Sequence, residues 1–200
     1  EHISEGGLTQ LAYQQEPNQI IYAVRGDGEL VALTYQREQQ VTAWHRHIFG
    51  GAFGSGNAVC ESVAVIPTDD TEYEVYVIVK RTINGVTRRF VEFINNFDFT
   101  ETDNTTFNFL DSALAYSGSA VTTISGLDHL EGQTVSILAN GATHPDKTVS
   151  SGSITLDRSS TNVKVGLSYS SILQTMRLDA GSQNGTSQGK TKRIYEITIR

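Results

Sequence analysis

The chain has 200 residues, a formal net charge of −7, one cysteine and 18% charged residues. A single Cys60 excludes an intrachain disulfide and a multi-cysteine zinc site. No apolar run reaches the ~18 residues of a membrane helix, and the start, EHISEGG, lacks the basic and apolar regions of a signal peptide.

The opening segment HISEGGLTQLAYQQEP places Ile3, Leu8, Leu11 and Ala12 at loosely helical spacing before Pro17. A short helix and an irregular lead-in stay equally open there. Strand patterns follow. Ile20–Val24, the turn Gly26-Asp27-Gly28 and Glu29–Tyr35 read as a hairpin, because Gly tolerates the positive φ of a tight turn. Val41–His47 is the next strand of a meander. The glycine-rich stretch Gly50–Gly56 reads as a loop. Val59–Ile66, ended by Pro67, and Tyr73–Arg81 are strands, and Asn84-Gly85 turns the second into Val86–Phe93.

Residues 95–110, NNFDFTETDNTTFNFL, read as a linker or long surface loop. Further short strands are expected at Val121–Ile124, Thr134–Ala139, Thr148-Val149, Ser153–Leu156 and Asn162–Leu167, with Asn140-Gly141 as a third hairpin turn. Asn184–Gly189 reads as a loop and Lys192–Arg200 as a terminal strand. The expected fold is all-β. Residues 1–110 form an antiparallel meander, propeller-blade-like or a sandwich, and residues 111–200 a small β-barrel or sandwich. The start without Met, in mid-pattern, points to a piece of something longer.

Charge divides the halves. Residues 1–115 carry 16 acids and 7 bases (−9), and residues 116–200 carry 6 acids and 8 bases (+2), recovering −7. An acidic first half disfavours contact with nucleic-acid phosphates.

Few residues point to chemistry. Arg25-Gly26-Asp27 spells an adhesion tripeptide, but its flanks explain it as a turn across which Arg25 and Glu29 can pair. His45 and His47 lie two apart on a strand, so both face one side. Paired imidazoles can begin a metal site, yet no third ligand is nominated, and the simpler reading puts Trp44 in the core and the histidines on the wetter face. Asp98, Glu101, Asp103 and Asn104 fail the calcium-loop pattern, since its required Gly and Glu positions hold Asp103 and Phe109. Cys60 reads as a small buried apolar residue, and His144-Pro145-Asp146 as a turn. Motifs of hydrolases, phosphate loops, dinucleotide folds and zinc proteases are missing from the sequence. No catalytic, cofactor-binding or metal residue is assigned and no cofactor is expected. Exposed tyrosines with Trp44 keep a carbohydrate-binding surface as the alternative.

Gln14-Gln15-Glu16-Pro17, Arg25, Asp27-Gly28, Leu30, Leu33-Thr34-Tyr35, Arg37-Glu38-Gln39, Trp44 and Arg46-His47 stand in an order that resembles large tail proteins of tailed bacteriophages and prophages. VIVKRTINGVTRRFVEF (77–93) is similar to that family's strand-turn-strand, and GLDHLEGQTVSILANGATHPD (126–146) to the start of its small β-domain. That domain in turn resembles the β-barrel half-domain of ubiquitin-activating enzymes, a likeness of fold only. The resemblance implies a structural component of a virion, similar to the tail tubular or nozzle protein of short-tailed phages. It also implies self-association into a ring around the DNA channel and contact with other tail proteins. No catalysis, specific nucleic-acid contact or membrane contact is implied. The implied location is the virion tail, and the host cytoplasm during assembly.

Overall fold

Alternation of apolar and polar residues from Leu8 to His47 builds a four-stranded antiparallel meander in a computed structural model of the chain. Its strands are β1 (Leu8–Gln14), β2 (Ile20–Arg25), β3 (Leu30–Gln36) and β4 (Val41–His47), in spatial order. The structure describes residues 3–68, 72–95, 102–174 and 196. Residues 1–170 make one unit; in the second, residues 171–200, Ile172 and Leu173 are exposed. The lead-in is no helix: it is irregular as far as Gly7 and a strand from Leu8. From Gln10 to Gln14 it pairs with β2, Ala12 opposite Tyr22 and Gln14 opposite Ile20. Ladder hydrogen bonds and the inward turn of Ala12 and Gln14 outweigh the weak helical spacing.

Gly50–Gly56 is more than a loop: β5 (Ala52–Phe53) and β6 (Gly56–Asn57) pair within it, since Gly54 takes the positive φ of 59° that its turn needs. A three-stranded antiparallel sheet follows, of β7 (Val59–Pro67), β8 (Tyr73–Ile83) and β9 (Val86–Ile94). β8 alternates strictly, burying Val75, Val77, Val79, Arg81 and Ile83. With Cys60 and Val63 of β7, its valines pack on Tyr22, Val24, Leu30 and Ala32 of the first sheet. Each valine or leucine among them contributes about 1.5–3 kcal/mol on burial.

The last sheet holds β10 (Asp111–Ser125), β13 (Ser153–Leu167), β11 (Thr134–Ala139) and β12 (Ala142–Thr148), in that order. Register shifts between Ser117 and Thr123 break the β10–β13 ladder, as bulges that bend a strand do. The apolar faces enclose a second core that includes Leu127, Leu130, Val135, Val149, Val163 and Val165. Among the described residues this ladder is open, with β10 and β12 at its edges, so the barrel alternative gives way to an open sheet. Two expected strands, Ser153–Leu156 and Asn162–Leu167, are one continuous β13. His144-Pro145-Asp146 is no turn but the middle of β12. It holds because the Asp157 N–H donates to His144 Nε2 at 2.8 Å, while Pro145 lies on a strand at the sheet's edge. The all-β, antiparallel class stands. The segments 184–189 and 192–200 lie outside the described residues, apart from Glu196.

Candidate functional site

The adhesion-like tripeptide is bound to itself. Arg25 is 8% exposed; its Nε donates to Asp27 Oδ1 at 3.1 Å and its Nη2 to Asp27 Oδ2. Arg25 Nη1 also lies 3.0 Å from Glu29 Oε2, so the expected pairing across the hairpin is present. The Arg25 guanidinium holds the Asp27 carboxyl below its ordinary range, and the Glu29 N–H adds to that. Gly28, at φ 87°, closes the turn against Val59. Arg25 and Asp27 satisfy each other rather than a receptor.

β4 turns the expected orientation around. Trp44 is 47% exposed, while His45 and His47 point inward. Both histidines stand opposite inner-face residues of β3, Ala32 and Leu30, which places Trp44 opposite Leu33 on the outer face. There Tyr13, Ile21, Leu33 and Trp44 form one row across all four strands. With exposed Leu11 and Tyr35 they make an aromatic, apolar outer face. The second sheet has its own. Ile78 pairs with Val91 and Tyr76 with Phe93. Val91, Phe93 and Ile66 on this face are among the chain's exposed large hydrophobics.

Inside, the ring centroids of His45 and His47 are 4.9 Å apart, edge to face, and Tyr22 lies 6.0 Å from His47. His45 Nε2 and Thr34 Oγ1 are within 3.2 Å. His47 Nε2 is buried without a hydrogen-bond partner. Burial, with His45 beside it, pulls the His47 imidazole down to about 4, and burial lowers His45 as well. Burial thus favours the uncharged form of both rings. Among the described residues no group of three or more His, Cys, Asp or Glu is placed to hold a metal. Asp98 and Glu101 lie outside the described residues; Asp103 accepts the Thr105 N–H at 2.9 Å. Burial pushes the Cys60 thiol up to about 11, which removes it as a nucleophile at neutral pH.

A buried arginine marks the junction of the second and third sheets, and no sequence signal beyond its inward parity on β8 announces it. Arg81 is 0% exposed; its Nε donates to the Gly50 carbonyl at 2.7 Å and its guanidinium forks onto Glu92. The Gly50 N–H then donates to Asp111 Oδ2 at 2.6 Å, at the first residue of β10. Burial raises the Asp111 carboxyl against that bond. Beside this junction a cleft of about 420 Å³ opens between the β8–β9 hairpin and the 3-10 turn Asp128–Leu130, lined by Arg88, Phe90, His129 and Glu131 among others. None of these groups is arranged as a nucleophile with a base. No protein-family model and no curated protein matches the chain.

Proposed function

We propose that this chain is a structural, non-catalytic part of a tailed-phage or prophage virion, a piece of a tail tube or nozzle-like protein that builds the DNA conduit by oligomerising. The observation that carries the reading is the pair of exposed apolar faces, one on each of the two larger sheets of the 8–94 region. Contiguous apolar surface of this kind marks a place where another protein sits. Leu11, Tyr13, Tyr35 and Trp44 supply one face, and Ile66, Val91 and Phe93 the other. The ordered phrases shared with phage tail proteins, from Gln14-Gln15-Glu16-Pro17 to Arg46-His47, support the same reading. So does an acidic first half, which would not retain passing DNA. Electron microscopy of particles labelled with antibody to this chain tests it: label on the tail supports the assignment, and unlabelled particles overturn it.

A second reading rests on one specific observation, the row from Tyr13 to Trp44 with Tyr35 beside it. Exposed aromatic rings on a flat sheet can stack on sugar rings, which makes a carbohydrate-binding module of the first sheet. A glycan array with the folded protein separates the readings. Saturable binding lost in Trp44→Ala favours the module, and no binding by protein with an intact circular dichroism spectrum removes it.

A further inference from the structure

His47 carries a buried ring nitrogen that no hydrogen bond accounts for. A buried imidazole nitrogen without a partner costs stability, and His47 Nε2 is such an atom. Its neighbour His45 lies on the same strand face with ring centroids 4.9 Å apart. A metal–nitrogen bond of about 2.0–2.1 Å puts each ring centroid roughly 3.2 Å from a shared ion. Two rings at a tetrahedral angle then have centroids about 5.2 Å apart, and at a square-planar right angle about 4.5 Å. The observed separation falls between these values. β4 is an edge strand of its sheet, so only one neighbouring strand flanks the pair.

We propose that His45 and His47 chelate one divalent transition-metal ion. Two imidazoles from the protein leave the remaining positions to water, because no third His, Cys, Asp or Glu joins them among the described residues. Imidazole ligation selects copper, nickel and zinc over magnesium and calcium, which take oxygen ligands. Among these the stability order puts Cu²⁺ first. With only two protein ligands the site is open, suited to exchangeable binding.

The test titrates Cu²⁺ into the chain carrying His2→Ala, which removes a competing histidine. Electron paramagnetic resonance of the one-to-one complex should show splitting from two nitrogens. His45→Gln and His47→Gln should each lose that signature and the rise in Tm that Cu²⁺ gives the parent. Circular dichroism of each variant before metal addition establishes that it is folded; if His47→Gln is not, His45→Gln at the half-buried position decides alone. Unchanged copper affinity in folded His45→Gln, or a parent spectrum without two-nitrogen splitting, overturns the proposal.

Discussion

The Arg25 guanidinium and the Asp27 carboxylate of one Arg-Gly-Asp sequence are bonded to each other, with Arg25 almost wholly buried. A receptor would have to break that pair and pull Arg25 from beneath the hairpin. Asp27 is half exposed and Arg25 keeps Glu29 as a second partner, so its replacement should be mild. Asp27→Asn should cost about 0.2–1 kcal/mol in urea unfolding. Adhesion of cells to a surface coated with the protein should be the same for both forms. An adhesion that disappears in Asp27→Asn would contradict the turn reading.

Trp44 is the only tryptophan in the chain and lies on the outer face of the first sheet. Its fluorescence should be readily quenched by acrylamide. Trp44→Ala should shift stability by less than about 1 kcal/mol, whereas a core tryptophan would cost about 3–5 kcal/mol. A blue-shifted, protected emission would return Trp44 to the core.

Arg81 and Glu92 form a pair in which the arginine is wholly buried. Glu92→Ala strands that cation and should destabilise by roughly 3–5 kcal/mol. Replacing both with apolar residues, Arg81→Met with Glu92→Leu, should cost less than Glu92→Ala alone, because no arginine is left buried without its carboxylate. Urea unfolding of the two variants checks the order.

Glu61 carries the clearest acid dependence on the surface. Bonds from Arg89 and Lys80 pull its carboxyl down from 4.5 to about 2. A folded-state value below the unfolded one means that unfolding takes up a proton as pH falls. The contribution of these two ion pairs is full above about pH 4.5 and is lost as pH drops through about 2. Unfolding followed across that window should show a shallower acid limb for Glu61→Gln than for the parent.

The Asn-Gly turns were legible in the sequence because their chemistry is local, whereas His144-Pro145-Asp146 was misread as a turn. Asn84-Gly85 and Asn140-Gly141 take positive φ at both residues, 49° and 72° in one and 52° and 73° in the other, as two-residue hairpins require. What was not legible depends on partners far along the chain. Which face of β4 is buried is decided by β7 and β8 packing on Tyr22 and Leu30, and alternation alone gives two answers a residue apart. Tyr13, Trp44 and Tyr35 become neighbours only through three strand registers. Asp111 to Ser117 carries little β-branched signal, yet pairs with β13 down to Asn162. The His45–His47 pair was legible as a spacing. The unpartnered nitrogen that gives it meaning was not, because it arises from burial.

The central claim, that the chain is a building block of a phage tail, is met most directly by quantitative mass spectrometry of particles purified from the source of the gene. The account predicts its peptides in the particles, in several copies per capsid as a ring requires. Particles with a full set of capsid peptides and none from this chain would contradict it.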